Sequence, residues 1–488
     1  MRKPHSNQTR FDCHAVNEVQ LNLNCRDEII PVLRSLQHIY GTPTLRQEIL
    51  KLVALDVNHD SRHDRGREGL DYWQVLVLAG VRLGCNLDYD KLQDLAEQHR
   101  ALRHIMGIGD WESQVDFSWR RIRDNVCLLQ PATIEKISHA LVAEGHQLAP
   151  DAAKRIRVDS FVMETDIHYP TESSLIDDGV RKIIELSVDL ADKLNLAGWR
   201  QHQHLRKSVA QITREIGRIA ARKGANYKQR MEKQYRQLLK QTGRIVRRAQ
   251  DLCEQALLLP AADVDVAVQT SSIKHYLGLT QQVCDTARRR VLCGETVPNE
   301  DKLFSIFEPH TQLYKRGKAG EPVQFGRLLL VYEDGAGFLV HQHLMDRVAQ
   351  DVDVAVEQTR ALQLRLQNQI EEISFDCGFH SPENQTELAK IVPLVCLPKK
   401  GKHQSAEQNA MATDAFRRAC RCHSGVEAAI GALQAGNGMK RCRDKTELGF
   451  ERYLALGVFG RNLHTLGKLL IAREHESANA AYSKRQAA

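Results

Sequence analysis

The chain has 488 residues, 42% hydrophobic and 26% charged, with a formal net charge of +7. This balance is typical of a folded protein with packed cores, and the length predicts two to four domains. Twelve cysteines stand at irregular spacings without a CxxC pair, and polar residues follow positions 1–5. The longest apolar run near a helix, 75–81, is far too short to cross a bilayer. We therefore expect a cytoplasmic protein with free thiols, and no membrane partner.

Residues 1–150 are predicted to form an all-helical N-terminal domain that binds DNA. Apolar residues at helical spacing indicate helices near 44–53, 72–83, 89–97, 101–106, 117–129 and 131–145. Pro131 suits the first position of the last of these helices.

Three arginines, Arg120, Arg121 and Arg123, share one turn of the helix near 117–129. A helix-turn-helix could place them against DNA phosphates. Alternatively, they form a solvated face above buried Trp119 and Ile122. The sequence leaves both interpretations open.

The stretch 155–167 alternates apolar and polar residues, as a strand does, and carries Asp159 in its middle. A helix follows, so we assign 151–190 to the first part of an α/β domain. Asp166 is a rival acid near the end of the same stretch. The two acids are seven residues apart and would face opposite sides of a straight strand.

The next region, 191–300, is a predicted basic helical insertion. Residues 200–248 hold fifteen Lys or Arg and two acids, a charge of +13, so the rest of the chain carries −6. Apolar residues recur every three or four positions and predict an antiparallel pair of helices. The residues predicted on its outer side for DNA contact are Arg214, Arg218, Arg222 and Lys223. A basic hairpin that only packs or dimerises is the alternative.

Residues 301–473 are predicted to complete the α/β domain. Strands are expected at 304–307, 323–332, 338–344, 373–379 and 391–397, with helices at 352–370, after Pro382, at 414–435 and at 448–473. Asp334 is predicted to be a turn residue, and 474–488 a flexible tail. Asp376 ends one strand and Glu427 lies on a later helix. With Asp159 they make two strand acids and one helix acid, a set that suits two divalent metal ions.

This order of elements resembles the DDE transposases of bacterial insertion sequences, and is closest to the ISNCY family. The motifs that carry the resemblance are Val-Asp-Ser at 158–160, residues 164–175, 305–311 and 325–326, Phe-Asp-Cys-Gly-Phe at 375–379, Leu-Pro-Lys-Lys-Gly at 397–401 and Gly-Val-Glu at 425–427. They span most of 45–470. One departure is Gln434, where related enzymes often carry a basic residue. Lys440, Arg441 and Arg443 would supply that charge here.

The resemblance implies a ribonuclease-H-like catalytic core with a helical insertion, and Asp159, Asp376 and Glu427 as the catalytic, metal-binding triad. Two Mg²⁺ ions, replaceable by Mn²⁺, would support cleavage at the element's ends and transfer of the 3′-OH into target DNA. The implied partners are both DNAs and further copies of the chain in the active complex. Two alternatives remain: a transposase-derived DNA-binding protein without catalysis, and a metal-dependent nuclease without strand transfer.

Overall fold

The structure is a computed structural model that describes residues 11–58, 69–111, 117–259, 263–315, 322–347, 349–399 and 413–486. The chain divides into two compact units, one formed by residues 1–166 with 327–488 and the other by residues 167–326. Helices dominate both, and the strands belong to one mixed sheet. The predicted α/β class is confirmed at this level.

The helices begin and end at the following residues: Ile29–Gly41 (α1), Pro43–Asn58 (α2), Tyr72–Gly84 (α3), Tyr89–Gln98 (α4), Arg100–Ile105 (α5), Trp119–Val126 (α6), Pro131–Leu148 (α7), Glu172–Lys193 (α8), His202–Arg222 (α9), Tyr227–Leu258 (α10), Val264–Ala287 (α11), Asp351–Arg365 (α12), Pro382–Ala389 (α13), Asp414–His423 (α14), Gly425–Gly436 (α15) and Glu447–Gln486 (α16). Local chemistry explains several starts. Asp71 and Gln74 form a capping box for α3, and Ser381 caps α13 ahead of its proline.

The strands are Arg155–Thr165 (β1), Gln312–Tyr314 (β2), Gln324–Asp334 (β3), Leu339–Leu344 (β4), Glu372–Phe375 (β5), Leu394–Cys396 (β6) and Arg441–Cys442 (β7). Their order is β2-β3-β1-β5-β6, with β4 on β3 and β7 on β1. Strand β1 runs parallel to β5, and β5 to β6, whereas β3 and β4 form an antiparallel hairpin. Asp334 closes that hairpin: its Oδ1 accepts bonds from the N–H groups of Ala336 and Phe338, both at 2.9 Å. The prediction of a turn residue there is confirmed.

In the first unit, the long helix α16 packs against α1, α3 and α7 and also contacts β4 and β7. Its inward face is apolar and includes fully buried Phe450, Tyr453 and Phe459. The N-terminal helices therefore share a compact unit with residues 327–488, although the sequence predicted residues 1–150 as a domain of their own.

The second unit is a bundle of α8, α9, α10 and α11 around one apolar core. The predicted antiparallel pair is present as α9 and α10, and its turn contains Lys223 and Asn226 in the left-handed backbone conformation. Val209 and Ile212 of α9, with Leu238 and Ile245 of α10, lie in the core together with residues of α8 and α11. The seam is thus covered within the unit.

Two further local predictions differ from the structure. No strand forms at 304–307, because the Ser305 Oγ accepts the backbone N–H groups of Phe307 and Glu308, at 3.2 and 3.0 Å, in a local turn. The tail predicted from 474 is helical up to Gln486, as a continuation of α16.

All twelve cysteines are free thiols, as the sequence analysis expects. Within the ranges that the structure describes, no helix combines the length and apolarity that a bilayer crossing needs.

Candidate active site

The two predicted aspartates occupy matching positions on neighbouring parallel strands, Asp159 within β1 and Asp376 directly after β5. The β1–β5 register pairs Arg157 with Ser374 and Val158 with Phe375, so the next residues along are Asp159 and Asp376. Asp376 keeps an extended backbone, and adjacent strands lie about 5 Å apart. Since side chains alternate between faces, both carboxylates lie on the sheet face opposite Val158.

Each aspartate is oriented by the amide that follows it. The N–H of Ser160 donates to Asp159 Oδ1 at 2.7 Å, and the N–H of Cys377 donates to Asp376 Oδ1 at 2.5 Å. Charge-assisted bonds of this kind hold a carboxylate in one rotamer without neutralising it. In each case the next amide along the chain therefore constrains the rotamer of the carboxylate.

The third acid, Glu427, follows a break in the helix that the sequence predicted as continuous. The predicted helix over 414–435 is divided at Ser424, whose Oγ donates to the Arg421 carbonyl at 2.8 Å. Helix α15 restarts at Gly425 and packs on β1, while α14 packs on β5. Glu427 is therefore in the first turn of α15, where the helix dipole favours a negative charge. Its side chain is exposed.

His423, which the sequence did not predict to belong to this site, lies near Asp376 and Glu427. Its Nδ1 is 3.3 Å from Ser374 Oγ. Burial lowers the pKa of His423, while the nearby charges of Asp376 and Glu427 act in the opposite direction. The available sequence signal is its spacing of four residues from Glu427, although the break at Ser424 interrupts the helix between them.

Asp351, at the start of α12, is another acid that the sequence analysis missed. A Cβ at Gly378 would lie 3.8 Å from Asp351 Oδ2 and 3.9 Å from Asp376 Oδ2. Both carboxylates thus border the small space that the missing side chain leaves. Nothing in the sequence signals this proximity, because 25 positions separate the two acids.

Arg157 contacts the chain near the break between α14 and α15. Its guanidinium lies 2.6 Å from Glu333 and donates to the Cys422 carbonyl at 3.4 Å. A Cβ at Gly425 would approach Arg157 Nη1 to 2.0 Å, so a larger residue there would displace the end of the Arg157 side chain. Burial raises the pKa of Glu333, and the Arg157 and Arg461 charges oppose that rise.

Among the residues described, no three His, Cys, Asp or Glu side chains are placed to hold a metal ion. The predicted convergence of Asp159, Asp376 and Glu427 into one ligand group is therefore not seen with the side chains as they stand. The donor set itself, carboxylate oxygens alone, has the chemistry that Mg²⁺ and Mn²⁺ prefer. Asp166 points elsewhere, because its Oδ2 lies 3.5 Å from Lys445 Nζ.

The predicted DNA-contacting residues lie mostly on the surface. Arg120, Arg214, Arg218, Arg222, Lys223, Lys440 and Arg441 are exposed, whereas Arg121 and Arg123 are partly exposed. Arg441 pairs with Glu164 at 3.0 Å and Arg218 with Glu215 at 3.3 Å. On α6, Ile122 is buried as one interpretation required, but Trp119 is only partly buried, so that interpretation is wrong for the tryptophan.

Comparison with known proteins finds no matching family model, no matching curated protein and no matching solved structure.

Proposed function

We propose that the chain is a DDE-type DNA transposase, which cleaves DNA at the ends of an insertion sequence and joins the freed 3′-OH to target DNA. The observation that carries the proposal is the β1–β5 register, which sets Asp159 beside Asp376 while α15 brings Glu427 to the same strands. The element order supports a ribonuclease-H-like core: β1, the β3–β4 hairpin, α12, β5, α13, β6 and the Glu427 helix follow one another as such a core requires.

The basic second unit supports DNA as the substrate. Fourteen of the fifteen Lys and Arg side chains in 200–248 are exposed, while most apolar residues of the same stretch are buried or partly buried. Only Arg206 is partly covered, paired with Asp177. A cationic surface of this kind attracts phosphates without regard to base sequence.

Asp159, Asp376 and Glu427 would hold two Mg²⁺ or Mn²⁺ ions. When bound, such ions supply charge stabilisation and a deprotonated nucleophile for phosphodiester exchange. The Ser160 and Cys377 amides constrain the rotamers of the two aspartates, and Glu427 lies in the first turn of the helix that packs on β1. The Glu427 side chain is exposed and has rotamer freedom, and in this proposal it turns toward the aspartates when the ions bind.

His423 and Arg157 have separate roles in this proposal. Burial lowers the pKa of His423 and favours its neutral form, whose Nδ1 lies 3.3 Å from the Ser374 hydroxyl, and in this proposal the ring positions a hydroxyl or water. Arg157 fixes the α14–α15 break that aims Glu427. Further copies of the chain would be needed to hold two element ends at once.

The test uses the full chain and a plasmid that carries its gene with the flanking DNA. Asp159→Asn, Asp376→Asn and Glu427→Gln, with the corresponding alanine variants, should lose Mg²⁺-dependent cleavage and joining by more than about a hundredfold. Loss of a group that only supports a metal ligand already lowers metal affinity or activity by roughly 10–100-fold. Binding of the same DNA should change little. Gel analysis of nicked and joined products measures both steps.

Asp166→Asn is the matched control, since this exposed acid lies near the end of the same strand and contacts Lys445. It should cleave and join like the unchanged chain. Cleavage retained in any triad variant would remove that residue from the site. Cleavage without joining would identify a nuclease instead, and binding without cleavage would identify a DNA-binding protein.

A further inference from the structure

A cavity of about 480 Å³ opens in the first unit between α3, α4, α6 and the segment that joins β7 to α16. Its volume is in the range of sites that bind small molecules. None of the three triad acids lines it. The cavity is thus a separate feature of the N-terminal helices and the C-terminal segment.

Aromatic rings form part of its wall. Trp119, at the first position of α6, is partly exposed, and the guanidinium carbons of Arg120 and Arg123 lie 4.8 and 5.2 Å from its ring centre. Tyr89 lies deeper, with Arg82 3.9 Å above its ring. Flat rings beside guanidinium planes are surfaces on which nucleic acid bases stack.

Cations outnumber acids in the wall. Five lining residues are basic, namely Arg82, Arg123, Arg443, Lys445 and Arg452, and three are acidic, namely Asp88, Asp90 and Asp444. Two of these acids have structural partners.

Arg82 holds Asp444 through two bonds at 2.9 and 2.5 Å, and Asp88 caps α4. Arg123 pairs with Asp124 and Lys445 with Asp166, and both acids are exposed. Exposed pairs of this kind are weak, so a phosphate can compete for both cations.

We infer that this cavity binds one nucleotide unit of a DNA strand, its base stacked on Trp119 and its phosphate held by Arg123 and Lys445. The combination of a partly exposed tryptophan with cations beside it fits an aromatic anion. A purely apolar ligand would leave the charges unused, and an inorganic phosphate would leave the rings unused.

The position of the cavity fits a strand that also passes the triad. Lys445 Nζ donates to the Asp166 carbonyl at 3.0 Å, so this wall lies at the end of β1. Seven residues of strand, roughly 23 Å, separate Asp166 from Asp159. A nucleotide held there belongs to DNA several base pairs from the scissile phosphate. This part of the inference rests on the proposed function, whereas nucleotide binding itself does not.

The experiment measures binding of a short fluorescent oligothymidylate to the full chain by anisotropy, without divalent metal. Trp119→Ala should weaken binding by about tenfold or more, because stacking on one aromatic side chain has that effect. Trp119→Phe should keep most of the affinity. Arg123→Gln and Lys445→Gln should each lower the salt slope by roughly 0.7.

Trp111→Ala is the control, since Trp111 is 77% exposed and does not line the cavity. It should bind like the unchanged chain. Equal binding by Trp119→Ala and Trp111→Ala would overturn the inference. Displacement of the oligonucleotide by thymidine 5′-monophosphate at equal nucleotide concentration would assign the cavity to a free nucleotide and overturn the DNA strand as its source.

Failure of this inference is distinguishable from failure of the proposed function. Trp119-dependent binding without any Mg²⁺-dependent cleavage would leave the cavity assignment standing and remove the transposase. Asp159-dependent cleavage, together with oligonucleotide binding that is unchanged in Trp119→Ala, would support the transposase and overturn the cavity assignment.

Discussion

At the residue scale, the site depends on a buried ion pair as much as on the acids themselves. Arg157 and Asp159 lie two residues apart on the same face of β1, and Arg157 reaches Glu333 on β3, whose side chain is 4% exposed. This pair supports the chain where α14 ends and α15 begins. A carboxylate as buried as Glu333 tolerates its charge only because cations face it.

Replacing Arg157 with Met should therefore destabilise the fold by about 3 kcal/mol at neutral pH, since it leaves a buried charge unpaired. Burial already raises the pKa of Glu333, Asp334 adds to that rise, and Arg461 is the remaining opposing cation. Loss of Arg157 raises the pKa further. A carboxyl with a raised folded-state pKa favours the fold at low pH, and this benefit is lost as pH rises through that pKa. The loss of stability in Arg157→Met should therefore be smaller at lower pH.

Urea unfolding at pH 7 and pH 5 measures the effect. Arg155→Met is the matched control, because Arg155 is an exposed arginine two positions away on the same strand. It should change the free energy of unfolding by less than about 0.5 kcal/mol. Adding Glu333→Gln to Arg157→Met should recover most of the loss. A pH-independent loss would show that the Arg157 stem, and not the charge pair, stabilises the fold.

At the element scale, the structure separates the two faces of the basic helices. The apolar face of α9 and α10 packs on α8 and α11 of the same unit. Packing within the unit therefore accounts for the apolar residues of the basic hairpin, as the packing interpretation expects. The cationic face remains exposed. DNA contact by that face stays a prediction, because exposure alone does not identify a partner.

Reversing Arg214, Arg218, Arg222 and Lys223 to Glu should weaken DNA binding and flatten its salt dependence by up to about four contacts, at roughly 0.9 per contact in log–log slope. The variant should stay folded, because all four side chains are exposed. Binding isotherms at several salt concentrations measure the slope.

Ile212→Asp changes the buried face of α9 instead of its exposed face. Ile212 is 5% exposed in the core of the bundle, so a charge there should unfold the second unit. An unchanged salt slope in the reversed variant would contradict DNA contact by the exposed face of these helices.

At the scale of the whole molecule, α16 is the element that joins N-terminal and C-terminal sequence in the first unit. Two of its glycines permit backbone contact: a Cβ at Gly460 would lie 2.5 Å from the Gly84 nitrogen, and a Cβ at Gly467 would lie 1.8 Å from the Pro31 oxygen. Neither backbone atom can move as a flexible side chain can. Helices α3 and α1 thus approach α16 only because both positions are glycine.

Gly460→Ala and Gly467→Ala should each lower the free energy of unfolding by about 2–3 kcal/mol, the usual cost of overfilling a packed contact. Gly431→Ala is the control, because it lies inside helix α15 with nothing within 4 Å of its Cβ. Alanine there should raise stability by up to about 1 kcal/mol. Thermal unfolding of the three variants gives the comparison, and equal effects would contradict close packing of α16.

Local patterns alone predicted much of this chain. Helical spacing, caps and proline positions predicted α3, α7 and α13, and the alternation around Asp159 predicted β1, because these signals act over a few residues. The +13 segment predicted a basic helical pair. One error has a local cause. The Ser305 hydroxyl accepts the N–H groups of Phe307 and Glu308, and this turn replaces the strand predicted at 304–307.

Tertiary structure decided what those patterns leave open. Only the β1–β5 register sets Asp159 beside Asp376, and only the break at Ser424 over Arg157 aims Glu427. The same is true of the Trp119 cavity, whose walls come from positions more than 350 residues apart. Periodicity shows which face of an element is buried, but not which distant element covers it. That choice follows from packing among all elements together, so no short stretch of sequence contains it.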